Sequence, residues 1–270
     1  MWTEMLPQIL ASLPQDYPWR EEIRYFDTIG STNTYLKEQA SLGAPHGTAA
    51  IADCQTLGRG RLGRRFQSPK GSGIYLSVLL RPRCAPQALM HLTCAAAVAM
   101  CDAVEEAAGT RPGIKWTNDL VMGNRKIAGI LTEMAVTAQG TVDYAIIGVG
   151  INCCQTEADF PPEIRNTAGS LEMLLHRPVS RPVLAARMLW AFSRMDRALL
   201  SGKETMLTQY RKDCITLGRE ISLVRGEELR HGTALDIGPE GDLIVRFSDT
   251  GEISAVSSGE VSVRGLYGYV

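Results

Sequence analysis

The sequence predicts an α+β protein: a mixed sheet backed by helices, followed by a small C-terminal β-barrel. Three observations lead there. Strand-like apolar runs outnumber helical ones before residue 150, and most connections between them are short. Two longer segments, Leu89–Ala108 and Arg181 to about Cys214, read as helices. After about Leu217 the composition shifts to glycine, β-branched residues and turns. The expected organisation is an N-terminal leader over 1–21, a main domain over 22–216 and a small domain over 217–270.

The elements follow in order. Pro7, Pro14 and Pro18 mark the leader. Ile23–Phe26 can form a first strand, and Ser31 can cap a helix running through Tyr35 and Leu36 to about Leu42. Gly47–Gln55 is a small-residue strand that runs into an arginine-rich loop. Ile74–Leu80 is a stronger strand, stopped near Pro82, and the long apolar helix follows Pro86. Lys126–Glu133 is entered from a tight turn at Gly123-Asn124 and joined to Val142–Val149 by a hairpin at Gln139-Gly140. From Arg181 to about Cys214, Leu184, Met188, Leu189 and Phe192 share one helical face. Beyond it, Ile221 and Leu223 alternate with polar neighbours. Pro239-Glu240-Gly241 and Ser248-Asp249-Thr250-Gly251 separate the strands Leu235–Ile237, Leu243–Phe247 and Ile253–Ala255.

Bulk properties exclude several classes. Of the 270 residues 45% are apolar and 21% charged, ordinary values for a globular protein. A net charge of −1 argues against a whole-surface grip on nucleic acid. Leu89–Ala108 is interrupted by His91, Thr93, Asp102, Glu105 and Glu106, so it reads as a core helix and not as a membrane span. Met1–Pro7 lacks the basic region and apolar core of a secretory signal. The seven cysteines are scattered with no C-x-x-C, and the four histidines lie far apart. That pattern supports neither a disulfide framework nor a zinc site. It fits reduced thiols in a cytoplasmic protein, with Cys94 and Cys101 as small core residues.

The chemistry concentrates in Asp53–Phe66, where Gly58, Gly60 and Gly63 are interleaved with Arg59, Arg61, Arg64 and Arg65. Glycine lets a backbone bend closely around a ligand, and the guanidinium fork suits carboxylate and phosphate. The stretch satisfies G-x-G-x-x-G, but that pattern binds a dinucleotide only where a helix opens at the glycines. Pro69, Gly71 and Gly73 argue against such a helix. No G-x-x-x-x-G-K-[ST] occurs either. Taken alone, the loop fits an anion-closing lid, a solvated basic loop or an RNA contact.

Other segments resolve the choice: Ser31-Thr32-Asn33, Lys115-Trp116-Thr117-Asn118-Asp119, Arg125–Glu133 and Ile146–Asn152. With the arginine loop they resemble the biotin protein ligase family, in order and at similar spacing, over roughly residues 22–265. The resemblance implies a catalytic domain related to class II aminoacyl-tRNA synthetases over 22–216 and an SH3-like domain over 217–270. It implies an ATP-dependent biotin–[biotin carboxyl carrier protein] ligase. Such an enzyme joins the biotin carboxylate to AMP, releases pyrophosphate, and passes biotin to a lysine of a biotin carboxyl carrier protein. That chemistry has to neutralise two like charges and then keep water from a mixed anhydride.

By motif alignment, the resemblance places Ser31, Thr32, Gln55, Gly58, Arg59 and Arg61 on biotin-contacting positions. Hydroxyls and an amide suit the ureido ring. Tyr75 and Ser77 alternate on a strand and either line the pocket or are ordinary sheet positions. Lys126 matches the lysine that opens the K-[IL]-A-G motif, binds the biotin carboxylate and stabilises charge at the α-phosphate. Gly129 and Gly148 allow close backbone approach. Arg61 faces the carboxylate and Arg64 the ATP phosphates, which with Lys126 makes up the implied catalytic set. Asn118, Asn152 and Arg64 match positions around ATP, and Trp116 packs against the adenine or in the core. Asp119 and Asn118 are the oxygen donors for Mg2+. Thr117 replaces the proline of K-W-P-N-D, and Phe66 stands where tryptophan is common.

Only about twenty residues precede the first strand, too few for the helix-turn-helix with which some family members bind operators. The ligase-only kind, without specific DNA binding and without a membrane anchor, is therefore expected. A homodimer through a sheet edge stays open. Two other functions were weighed: a lipoate or octanoate ligase or transferase on the same fold, and a nucleic-acid-binding module. Against the module, Glu227, Glu228, Asp236, Glu240 and Asp242 leave the barrel without a basic stripe.

Overall fold

The computed structural model describes residues 5–257 and 262–265. Helix α1 (Met5–Ser12) comes first, then strand β1 (Ile23–Phe26), helix α2 (Thr32–Ser41) and strands β2 (Ala49–Ala52) and β3 (Gly73–Leu80). Helix α3 (Leu92–Ala108) leads to β4 (Gly113–Lys115), β5 (Asp119–Met122), β6 (Arg125–Val136) and β7 (Val142–Asn152). Helices α4 (Leu171–Leu175), α5 (Arg181–Ala198) and α6 (Lys203–Asp213) close the larger unit. Its sheet runs β1-β2-β3-β7-β6-β5-β4, parallel between β1 and β2 and antiparallel elsewhere. This is the mixed sheet the sequence predicts.

The two faces of that sheet have different neighbours because strand side chains alternate. One face packs on α3 and α5, forming the main core around Leu76, Val78, Ile147, Val149, Met100 and Phe192. The long apolar helix is thus covered by protein. Pro86–Ala108 is long and apolar enough to cross a membrane, with 23 residues and a mean hydropathy of 1.4, yet 72% of its apolar window is buried. On the other face, Gly129 pairs with Gly150 beside Tyr75, and Leu131 pairs with Gly148 beside Ser77. Glycine at three of these positions leaves a hollow in the middle of the sheet, and α2 lies along its rim.

Two expectations need correction. The leader was assigned no element, but Met5–Ser12 is helical and packs on α5, with Ile9, Leu13, Tyr17 and Trp19 buried in the core. The run from Arg181 to Cys214 is two helices, broken at Leu199–Gly202, where Gly202 turns the chain by bonding back to the Ala198 carbonyl. The tight turn before β6 is as expected, with Gly123 and Asn124 at φ of 53° and 61°.

The C-terminal unit is a five-stranded antiparallel sheet of β8 (Glu220–Arg225), β9 (Glu228–Ile237), β10 (Leu243–Phe247), β11 (Ile253–Val256) and β12 (Ser262–Gly265), in the order β11-β10-β9-β8-β12. Its turn at 239–242 docks on the larger unit. The Trp116 indole N–H donates to the Gly241 carbonyl at 3.0 Å, Cys94 and His91 lie against Gly241, and Lys203 pairs with Glu240 at 2.8 Å. All seven cysteines are free.

Candidate active site

A cavity of about 880 Å³ opens over the glycine hollow, within the range of sites that hold small-molecule ligands. Its walls come mainly from five places. The α2 N-terminus contributes Ser31, Thr32 and Asn33, and the arginine loop contributes Arg59, Arg61, Arg64 and Phe66. The β4–β5 turn contributes Lys115, Trp116, Asn118 and Asp119, and strands β6 and β7 contribute Lys126, Gly129, Gly148, Gly150 and Asn152. Segment 160–168 closes one side through Phe160, Glu163 and Ile164.

The arginine loop is a small flap. The Gly60 N–H donates to the Arg64 carbonyl at 2.7 Å and the Phe66 N–H to the Gly58 carbonyl at 3.0 Å, so the loop folds back on itself. Leu62 at its tip has φ of 55° and is exposed. No helix follows the glycines, as Pro69 and Gly71 predict. The flap's aromatic, Phe66, lies across the paired glycines: a Cβ on Gly150 would overlap its ring, and one on Gly129 would lie 3.5 Å from it. Its edge meets the Tyr75 ring at 6.4 Å between centroids.

Arg61, Lys126 and Arg59 each have an internal oxygen partner. Arg61 Nη1 donates to Asn118 Oδ1 at 2.9 Å. Lys126 Nζ lies 2.6 Å from Asp119 Oδ1, with side chains 29% and 17% exposed. Arg59 lies 3.5 Å from Glu133. Burial lowers the pKa of the Arg61 guanidinium, and the Asp119 carboxylate raises it back in part. The site is therefore a set of positive charges brought by the flap and by β6 to one cavity and balanced by a few carboxylate and amide oxygens. It can take up an anion by exchanging those partners.

A chain of hydrogen bonds runs beneath the flap. The Thr32 N–H and hydroxyl donate to Gln55 Oε1 at 2.9 and 3.0 Å, and the Gln55 amide donates to Ser68 Oγ at 3.1 Å. The Ser77 hydroxyl lies 2.7 Å from Thr32 Oγ1 and donates to Asn33 Oδ1 at 2.6 Å. The Asn33 amide donates to Glu133 at 2.9 Å. Ser31 caps α2 by accepting from the Thr34 N–H at 3.5 Å.

Among the residues named from sequence, the cavity wall includes Ser31, Thr32, Gln55, Arg59, Arg61, Arg64, Trp116, Asn118, Asp119, Lys126, Gly129, Gly148 and Asn152. Three are placed differently. Tyr75 and Ser77 are fully buried below the floor and outside the cavity wall, Tyr75 donating to the Pro69 carbonyl at 3.0 Å. Gly58 lies outside the wall, where a Cβ would overlap the Phe66 carbonyl. Trp116 is a core residue whose ring nitrogen is taken by Gly241. Asn152 spends its amide on the Gly169 carbonyl at 3.0 Å and receives Gln155 at 3.2 Å, so it fastens segment 155–169 to the sheet. Sequence reading did not assign site roles to Asn33, Lys115, Gly150, Phe160, Glu163 and Ile164. Asn33 and Lys115 stand inside quoted motifs, whereas 160–168 has no periodicity that marks it.

Comparison with known proteins agrees with this geometry. The Biotin/lipoate A/B protein ligase family matches residues 25–152, and the Biotin protein ligase C terminal domain matches 216–264. A bifunctional ligase/repressor BirA of Bacillus subtilis is 34% identical over 230 residues, 85% of this chain and 70% of that protein. A biotin–[acetyl-CoA-carboxylase] ligase of Mycobacterium tuberculosis is 33% identical over 250 residues, 90% of this chain and 89% of that protein. The solved biotin protein ligase of Aquifex aeolicus in complex with biotin and ATP superposes with a TM-score of 0.75 at 29% identity, covering 90% of this chain and 98% of that one. Fold and site thus define an acyl-activating ligase catalytic domain with an appended antiparallel β-domain. The chain belongs to the biotin protein ligase family.

Proposed function

We propose that the protein activates biotin with ATP to biotinyl-5′-AMP, releasing pyrophosphate, and transfers the biotinyl group to a lysine of a biotin carboxyl carrier protein. The observation that carries this reading is the joint placement of Lys126, Arg61 and Arg64 around one cavity, in a chain of this family. Ser31, Thr32, Gln55 and Arg59 bind the biotin half, with Gly129 giving room for its rings and Gly148 giving room for the Asn33 side chain. Lys126 leaves Asp119 for the biotin carboxylate and then faces the charge that builds at the α-phosphate. Arg61 exchanges Asn118 for the same anion, Arg64 binds the phosphates, and Phe66 covers the anhydride against water.

Asn118 and Asp119 offer one amide and one carboxylate oxygen to the cavity, and among the described residues no group of three metal-ligating side chains gathers. That sparse, hard donor set fits Mg2+ held mainly by ATP. When bound, Mg2+ would neutralise phosphate charge. The proposed domain division is 22–216 for catalysis and 217–270 for the SH3-like unit. A cytoplasmic location accords with seven free thiols.

The test is pyrophosphate release from purified protein with biotin, ATP and Mg2+, with biotinyl-5′-AMP identified by mass spectrometry. Release that needs octanoate or lipoate in place of biotin would replace this reading. The Bacillus relative's name includes a repressor, so a gel shift with biotinyl-5′-AMP present is informative. No sequence-specific shift is expected.

A further inference from the structure

We propose that Glu133 is a positioning residue for the biotin half of the site, acting on Asn33 and on Arg59 at once. The inference rests on the reading of the cavity as a biotin site. Glu133 is outside the cavity wall, and its side chain is 16% exposed on β6. A carboxylate so placed has lost much of its water and needs strong partners. It has three: Lys37 Nζ at 2.7 Å and Arg59 Nη1 at 3.5 Å on one oxygen, and Asn33 Nδ2 at 2.9 Å on the other.

Two of those partners face the cavity, and they come from different elements. Asn33 belongs to α2 and Arg59 to the flap. Asn33 has little freedom. Ser77 donates to its oxygen at 2.6 Å, and the side chain sits so close on Gly148 that a Cβ there would overlap it. With Oδ1 held by a donor, Nδ2 must find acceptors, and Glu133 at 2.9 Å supplies the shorter and charged one, the Leu131 carbonyl at 3.4 Å the other. Arg59 is half-exposed, and among the described residues its other tie is the flap's own backbone pairing with Arg65. One carboxylate therefore sets the direction of an amide on the pocket floor and ties the first turn of the flap above it. Burial pushes the Glu133 carboxyl up. The hydrogen bonds from Lys37 and Asn33 and the Lys37 and Arg59 charges outweigh that effect and hold it ionised below the usual carboxylate range.

Glu133→Gln keeps the size and an acceptor but removes the charge and permits the amide to turn. Isothermal titration of the full chain with biotin, without ATP, should show affinity weakened roughly tenfold, the scale of one charge-assisted contact. The KM for ATP in pyrophosphate release should stay within about twofold. Arg59→Gln changes a half-exposed loop residue and should also weaken biotin. The double variant should be no weaker than the poorer single one, because the two residues act as one unit. Unchanged biotin affinity in Glu133→Gln overturns the proposal, as do effects of the two variants that simply multiply. If Glu133→Gln does not fold, Arg59→Gln alone decides: biotin affinity equal to the parent's overturns it. Absence of biotin binding by the parent protein would instead remove the biotin reading itself.

Discussion

Lys126 is held by an acidic partner that the proposed mechanism requires it to give up. Its 2.6 Å contact with Asp119 keeps both charges compensated on a partly buried floor. Lys126→Ala should lower the adenylation rate by about two orders of magnitude, or roughly 3 kcal/mol, the usual scale for one electrostatic contact made in the transition state. A near-normal single-turnover rate in a folded variant would take Lys126 out of the mechanism. The variant also leaves Asp119 without that cation, so its thermal stability should be measured alongside. At this scale the sequence was informative where a residue's chemistry is unusual for its position: a lysine opening an apolar strand, arginines among glycines, an Asn-Asp pair. It was less informative for residues that act through others. Tyr75 and Ser77 alternate as pocket residues would, but strand alternation cannot tell the pocket from the layer beneath it. Glu133 looks like the polar end of a strand until α2 and the flap are brought against it.

The flap is the element whose behaviour follows most directly from its composition. Residues 58–71 bury little apolar area, and their backbone contacts are mostly with one another. Such segments open at low free energy. Arg59 and Arg61 hold Glu133 and Asn118. In the proposed mechanism ligand exchanges these partners for a stronger set. Hydrogen exchange across Gly58–Gly71 should slow on adding biotin and slow further with biotinyl-5′-AMP. Equal exchange in free and adenylate-bound protein would mean that the flap is not a lid. Most elements were legible from turn and cap signals, such as Ser31, Gly123-Asn124 and Gln139-Gly140. The missed elements lack those signals. Met5–Ser12 carries Pro7 inside a short helix that is stabilised by burial on α5, and the break at Leu199–Gly202 interrupts an apolar pattern that continues on both sides.

Across the whole molecule, the contact between the two units carries its own pH dependence. His91 is buried at the head of α3, its Nε2 3.0 Å from the Leu199 carbonyl and its Nδ1 without a partner among the described residues, beside the turn that carries Gly241. Burial lowers its pKa and the Leu199 hydrogen bond raises it back in part, with Lys203 and Glu240 the nearby charges. The unfolded chain thus binds a proton at a higher pH than the folded one. Stability from neutral His91 is present above the ordinary histidine pKa and is lost as pH falls below it toward the lowered folded value. Melting temperature should fall between about pH 7 and pH 5.5, and the fall should be smaller in His91→Gln. Equal slopes for the two proteins would exclude this origin. The Trp116 indole bound to the Gly241 carbonyl extends the same point, because Trp116 and the nearby Lys115, Asn118 and Asp119 line the cavity. Releasing the small sheet breaks the contact of a buried ring that stands among cavity-lining residues. Under the proposed reading of that cavity as the ATP site, the two units should give a single calorimetric peak that moves as one when nucleotide is added.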